Sequence, residues 1–255
     1  MTAGKLSVVG FGPGGREHMT ALAERTIAAA ELVFGYTAYI GMIRDAFSAD
    51  KEYVSTGMRG EVERCRAAVA AAMEGRDAAI VSSGDSGIYG MAGIVYEVAD
   101  ELGADIEIEV VPGMTAASTA AAVLGAPLMH DTALISLSDL MTPYDLIMKR
   151  VECAGQGDFV VALYNPRSTK RTAHLTEAAE ILMRHRPPET PVGIVRHAGR
   201  DGERGTIVTL AELAEADVDM FSIVIVGNSQ TYVSEGRMIT PRGYRGAGRM
   251  DGVVG

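Results

Sequence analysis

Ser-Ser-Gly-Asp-Ser-Gly-Ile-Tyr-Gly-Met-Ala-Gly, residues 82–93, follows directly on the apolar run 78–81. An apolar strand gives way here to glycines, hydroxyls and an acid, and then to a helical pattern from about Met91. That order delivers polar groups to the carboxyl end of a parallel sheet, where open α/β sheets bind small molecules. Gly84, Gly87 and Gly90 let the backbone approach a ligand or take positive φ, while Asp85 and Ser86 supply an acceptor and a donor. The same composition also suits a tight βα turn in which Asp85 caps the following helix.

On the amino-terminal side, residues 5–9 read as a buried strand that breaks at Gly10-Phe-Gly-Pro-Gly-Gly15. Met19, Leu22, Ala23, Ile27 and Ala30 fall on one face of a helix over 18–31. A short strand at 32–34 leads into an irregular segment up to Arg59, and 61–74 is an alanine-rich helix with Gly75 at its end. Beyond the central loop, 106–111 alternates apolar with acidic residues as a half-exposed strand. Strand alternating with helix predicts a parallel sheet with right-handed crossovers.

The second half begins with an apolar helix at 115–124 that must be buried on several sides. Strands are expected at 133–137, 159–163, 192–196, 206–210 and 222–226, and helices at 143–153, 172–186 and 210–216. Gly202-Glu-Arg-Gly205 makes a hairpin turn and so brings in an antiparallel component. The expected organisation is an N-terminal α/β domain over 1–135, a C-terminal one over 136–244, and a flexible tail over 245–255. Gly155-Gln-Gly157 is the competing place for the hinge.

The chain has 255 residues, 47% of them hydrophobic and 22% charged, as an ordinary soluble globular protein does. A net charge of -10 at pH 7 argues against broad nucleic-acid binding, which needs many neutralised phosphates. Local Arg clusters still permit a small polyanion. Cys65 and Cys153 form neither a disulfide framework nor a zinc motif, which fits a reducing, cytoplasmic compartment. The start Met-Thr-Ala-Gly-Lys lacks the marks of a signal peptide, and no apolar run reaches membrane-span length. No nucleic acid, no membrane and no protein-held metal are expected.

Gly10, Gly12 and Gly15 satisfy G-x-G-x-x-G between a strand and a helix, so a dinucleotide site has to be weighed. Pro13 removes an amide where donors would meet a pyrophosphate. The acid expected after the second strand is also missing, since Glu31 precedes that strand and Gly35-Tyr36 ends it.

With Val9-Gly-Phe-Gly-Pro-Gly14, Ser83-Gly-Asp-Ser-Gly-Ile-Tyr-Gly90 and Val111-Pro-Gly-Met-Thr-Ala116 in this order, the sequence resembles the tetrapyrrole methyltransferases of the cobalamin pathway. Ser136-Leu-Ser-Asp-Leu140 with Thr142-Pro143, Ala162-Leu-Tyr-Asn-Pro-Arg-Ser168 and Met238-Ile-Thr-Pro-Arg-Gly-Tyr244 resemble the branch that methylates C17 of precorrin-3B. The resemblance runs from about Lys5 to Tyr244. It implies an α/β fold of two domains, the first with a mostly parallel sheet and the second with a mixed sheet and flanking helices. It also implies a homodimer, with S-adenosylmethionine held in the cleft between domains and S-adenosylhomocysteine as product.

The implied cofactor contacts are Pro13, Gly84, Asp85, Ser86, Ile88, Tyr89, Thr115 and Ala116, joined by Leu163, Tyr164, Asn165, His197 and Ala198. Asp85 is a candidate for the methionine ammonium or a ribose hydroxyl. A macrocycle fringed with acetates and propionates suits the basic residues Arg167, Lys170 and Arg171, and a second group at Arg196, Arg200 and Arg204. Taken singly each of these reads as a solvated surface charge, whereas at least one group taken as a whole reads as a binding site. Methylation in this branch is coupled to ring contraction, which needs proton transfers. Asp139 and His130 are the candidates, against a helix cap and a structural histidine, while His18, His174 and His185 read as surface residues. The readings to exclude are methylation at another ring carbon, an NAD-dependent dehydrogenase and a non-catalytic tetrapyrrole carrier.

Overall fold

A computed structural model describes residues 3–47, 51–169 and 171–243. The chain divides into two compact units, Met1–Ala116 and Ala117–Gly255. The division falls ahead of the 135/136 boundary expected from sequence, so the apolar helix and the strand after it belong with the second unit. The expected tail at 245–255 and Lys170 lie outside the described residues.

The first unit contains β1 (Lys5–Gly10), α1 (Ala21–Ala29), β2 (Leu32–Tyr36), α2 (Thr37–Ile43), β3 (Glu52–Thr56), α3 (Glu61–Met73), β4 (Ala78–Ser82), α4 (Ala92–Leu102) and β5 (Glu107–Val111). Its strands lie in the order β3-β2-β4-β1-β5, and every pairing is parallel. The central strands β1 and β4 are covered on both faces, which is why each reads as an unbroken apolar run. Leu6, Val8, Phe34 and Ile80 pack with Val69 of α3 and Val95 of α4. Val9, Val33 and Val81 point the other way, onto Ile27 and Ile40. Full burial of one such side chain contributes about 1.5–3 kcal/mol.

Local chemistry sets the ends of α1. The Thr20 hydroxyl accepts the Ala23 N–H at 3.0 Å. At the other end the Lys51 ammonium donates to the carbonyls of Ala28 and Ala30, where a cation complements the helix dipole. This helix is shorter than expected. A single 3-10 turn covers Arg16–His18, and Leu22 faces solvent rather than the core. The segment read as irregular contains α2 and the edge strand β3. Glu52-Tyr-Val-Ser-Thr pairs on one side only and offers the core little beyond Tyr53 and Val54, too few apolar residues for a pattern to show.

The second unit contains α5 (Ala116–Leu124), β6 (Gly125–Ala126), β7 (Thr132–Ser136), α6 (Tyr144–Gln156), β8 (Val160–Tyr164), α7 (Ala173–Met183), β9 (Pro191–Arg196), β10 (Arg204–Thr209), β11 (Ser222–Val226), β12 (Tyr232–Ser234) and β13 (Arg237–Ile239). The main sheet has the order β10-β9-β11-β8-β7, and a smaller one has β12-β13-β6. β7 and β8 are parallel, β11 is antiparallel to both β8 and β9, and β9 and β10 form the expected hairpin. Leu137, Ile147, Leu163, Leu175, Leu182 and Val224 form the centre of its core. In α5 the burial is one-sided: Ala117, Ala120 and Leu124 are buried, and Val123 is exposed. Leu124 occupies the space a side chain at Gly193 would need, which attaches α5 to the second sheet. Among the described residues, no helix is long and apolar enough to cross a membrane.

Candidate active site

In the first unit the loops after β1, β4 and β5 meet backbone to backbone. Gly12 N–H donates to Gly84 O at 3.1 Å, and Gly84 N–H returns to Gly12 O at 2.8 Å. A side chain on Gly113 would strike the carbonyls of Gly84 and Gly10, and one on Gly10 would strike Gly84 and Ser86. Glycine at these places is therefore a packing requirement of the three-loop junction. Gly84 differs, with φ +76° and open space where a side chain would project.

This junction weighs against the dinucleotide reading. A phosphate cradle needs unpaired amides, and those of Gly12 and Gly84 are paired with each other. Pro13 has none to offer and is itself buried. The nearby guanidinium of Arg16 is paired with Glu24.

Asp85 serves the loops themselves. One carboxylate oxygen accepts the N–H groups of Gly87 at 2.8 Å and Ile88 at 3.0 Å, and the other accepts that of Gly113 at 2.9 Å. It is neither the N-cap of α4, a place taken by Met91, nor an acceptor waiting for a ligand alone. Ser86 is fully buried, and its hydroxyl lies 3.2 Å from the carbonyls of both Val8 and Val111. The expected donor thus points inward, between β1 and β5. Ile88 is half-buried and Tyr89 is exposed, while Thr115 and Ala116 are half-buried at the start of α5. Tyr36 and Tyr39 pack edge to face with centroids 5.3 Å apart, and Tyr39 meets Phe11 in the same way.

In the second unit β7, β8 and β9 point the same way, because β11 is antiparallel to both β8 and β9. Their carboxyl ends place Ser136 to Asp139, Tyr164 to Thr169 and Arg196 to Arg200 at one end of the sheet. The Tyr164 hydroxyl accepts Ala117 N–H at 3.2 Å, in the first turn of α5. Asn165 donates its side-chain amide to Ser136 Oγ at 3.1 Å. His197 lies against Phe221 with ring centroids 5.2 Å apart. Leu163 and Ala198, expected at the cofactor, are buried.

Backbone conformation singles out some of the same residues. Among the described residues, the non-glycine positions in the left-handed region are Arg59, Tyr89, Asp158, Asn165, His197 and Glu235. Asn and His tolerate that region, but an aromatic residue such as Tyr89 at φ +53° is an outlier. Such strain is of order 1–3 kcal/mol per residue and concentrates at binding sites.

The basic residues divide by partner. The Arg167 guanidinium donates to the carbonyls of Ala214 at 3.0 Å and Ala216 at 3.4 Å, which makes it a clamp on that turn. Arg171 donates to Asn165 O at 3.0 Å and Ser138 Oγ at 3.4 Å. Arg196 pairs with Asp219 at 2.8 Å, and Arg200 closes the turn after β9 by donating its N–H to His197 O at 2.8 Å.

The two acid–base candidates are not brought together. His130 precedes β7 and Asp139 follows it, so a strand of about 16 Å, at ~3.3 Å per residue, separates them. His130 is exposed and accepts the Asp131 N–H on Nδ1. The histidine beside Asp139 is His174, read from sequence as a surface residue, whose Nε2 lies 3.2 Å from Asp139 Oδ2. The available signal was its place in the first turn of the helix after β8, a position that looks toward the carboxyl end of the sheet.

Comparison with known proteins bears on the family and the fold. The profile of the tetrapyrrole (corrin/porphyrin) methylases matches residues 5–214. A Salmonella typhimurium protein named probable cobalt-factor III C(17)-methyltransferase is 50% identical over 239 residues, which is 94% of this chain and 99% of that one. Cobalt-factor III methyltransferase of Priestia megaterium is 47% identical over 95% of this chain, which spans 45% of that longer protein. The crystal structure of the methyltransferase CobJ superimposes with a TM-score of 0.88 at 35% identity, covering 94% of this chain and 100% of that one.

Proposed function

The chain belongs to the tetrapyrrole methylases, and from that premise we propose that it transfers the methyl group of S-adenosylmethionine to C17 of a cobalt-bearing factor III or precorrin-3B ring, with contraction of that ring. The observation that carries the reading is the 50% identity across 99% of a relative named for that activity. The cobalt form is favoured because the relatives at 46–50% identity include several named for cobalt-factor III. The homodimer and the cytoplasmic location expected from the resemblance belong to the same proposal.

The residues present fit the methyl donor. When bound, S-adenosylmethionine supplies an electrophilic methyl group on a cationic sulfur. A loop whose Gly12 and Gly84 amides are already paired, and which leaves open space over Gly84, suits a cationic nucleoside better than a diphosphate. Gly84 and Tyr89 are the proposed contacts on the exposed side of the first unit's loops. Pro13, Asp85 and Ser86 support them from within. In the second unit, Arg171, Arg196 and Arg200 are proposed for the carboxylates of the macrocycle, while Arg167 shapes the loop that presents them. The protein's chemical work is to orient the ring carbon, exclude water and accept protons.

The test is incubation with methyl-labelled S-adenosylmethionine and cobalt-factor III or precorrin-3B, with the label located by NMR and mass spectrometry. Label at C17 is expected. Label at another carbon would assign a sister methyltransferase, and binding without turnover would assign a carrier. Thermal shifts address the dehydrogenase reading. A ligand at a hundred times its Kd adds about 2.7 kcal/mol of stability, expected for S-adenosylhomocysteine and not for NAD.

A further inference from the structure

Where β7 and β8 end, two largely covered side chains, an imidazole and a guanidinium, converge on one accessible carboxylate. His174 Nε2 lies 3.2 Å from Asp139 Oδ2, and Arg171 Nη1 lies 3.9 Å from Oδ1. The side chains of His174 and Arg171 are 14% and 11% exposed, against 41% for Asp139. Both imidazole nitrogens are shut off from solvent, and among the described residues neither makes a hydrogen bond, the Nε2 contact with Asp139 being one of proximity alone. The ring is fixed by the edge of Tyr144, with centroids 4.7 Å apart at 75°, and Tyr144 in turn donates its hydroxyl to Glu177. A surface ion pair made for solubility leaves its long charged side chains in water. Here the partners are covered and the carboxylate stays accessible. Burying an imidazole with a nitrogen left unpaired is unfavourable, so the arrangement calls for a compensating role.

We infer that His174 is a positioning residue for Asp139, holding that carboxylate as the acceptor of the proton which the macrocycle loses after methylation. The inference rests on the function proposed above. A new C–C bond forms from an electron pair of the macrocycle, and the pair of the breaking S–C bond stays on sulfur. The positive charge delivered to the ring leaves as one proton, which converts the Asp139 carboxylate to a neutral carboxyl. The covered His174 ring, with Nε2 3.2 Å from Oδ2, bounds the carboxylate on one side and so keeps it in a single orientation, while Arg171 stands 3.9 Å away on the other. A proton acceptor turned away from its substrate loses efficiency on the order of 10²-fold.

The experiment compares His174→Phe, which keeps an aromatic ring against Tyr144, with His174→Gln, whose amide nitrogen reaches the place of Nε2. Expected are a kcat lowered about 10–100-fold in His174→Phe, unchanged KM and S-adenosylhomocysteine affinity, and recovery of most of the loss in His174→Gln. In the free enzyme, labelled with 15N-histidine, the His174 Nε2 resonance should shift when Asp139→Asn is introduced. Wild-type turnover in His174→Phe, or a Gln variant no better than Phe, would overturn the inference. So would a His174 resonance indifferent to Asp139→Asn. If the Phe variant fails to fold, the Gln variant and the resonance still decide. The position methylated by the wild-type enzyme tests the proposed function, and the ratio of variant to wild type tests His174, so the two failures are distinct.

Discussion

Replacing Asp85 separates two roles for one carboxylate: binding a ligand and tying loops together. Its oxygens accept three backbone N–H groups, from Gly87, Ile88 and Gly113, at 2.8, 3.0 and 2.9 Å. A hydrogen bond to a charged group contributes about 1.5–3 kcal/mol net, and half-exposure lets water replace part of it. Taking the low end for each of the three as a ceiling, Asp85→Ala should lose up to about 4.5 kcal/mol of stability in the first unit. Asp85→Asn keeps one acceptor oxygen but turns an NH2 toward an N–H donor, losing one tie or about 1.5 kcal/mol. Urea denaturation gives the totals, and amide exchange at Ile88 and Gly113 reports the ties locally. Calorimetry with S-adenosylhomocysteine then separates the roles. A loop tie predicts that Asn weakens binding only in step with its loss of stability. An ammonium contact predicts a further loss of affinity, on the order of tenfold for 1.4 kcal/mol, beyond what the loss of stability accounts for. An Asp85→Ala variant with an unchanged midpoint and unchanged exchange would refute the reasoning.

The same junction predicts that Gly113→Ala destabilises by about 1–3 kcal/mol, because its methyl group would meet two carbonyls that cannot swing aside; a melting temperature equal to wild type would contradict this. For the thiols, burial pushes Cys65 up to about 12, whereas Cys153 is exposed. A thiol reagent at pH 8 should label Cys153 in the native state and Cys65 only on unfolding. The folded thiol keeps its proton to higher pH than the unfolded one. Its contribution to stability is therefore intact below the unfolded value, about 8.5, and declines as pH rises toward about 12. Alkaline melting curves check that sign, and rapid labelling of both thiols in the native protein would exclude the burial.

Much of the architecture was legible because it is written in short-range pattern. β1 and β4 stand between other strands and under helices on both faces, so their residues read as continuous apolar runs. The β9–β10 hairpin announced itself through its glycine turn. The elements that escaped notice bury little or are very short: β3 on a sheet edge, and the three-residue strands β12 and β13. Leu22 failed as a core residue because, although it lies in the first turn of α1, it falls outside the buried stripe that Ala23 and Ile27 form.

Residue types and loop positions around the site could be read from the chain, since glycines, hydroxyls and acids after a buried strand have few other uses. Direction could not. Ser86 and Arg167 are of the right chemical type for a ligand, yet one hydroxyl faces Val8 and Val111 and one guanidinium clamps Ala214 and Ala216. His130 and Asp139 are close in sequence and lie at opposite ends of a strand, while His174, far along the chain, stands beside Asp139. Local pattern determines which segments become strands and where polar side chains cluster, because periodicity and backbone stops act over a few residues. Which of those groups remain available for chemistry was decided by tertiary structure alone, because it depends on which carbonyls and amides the neighbouring loops have already paired.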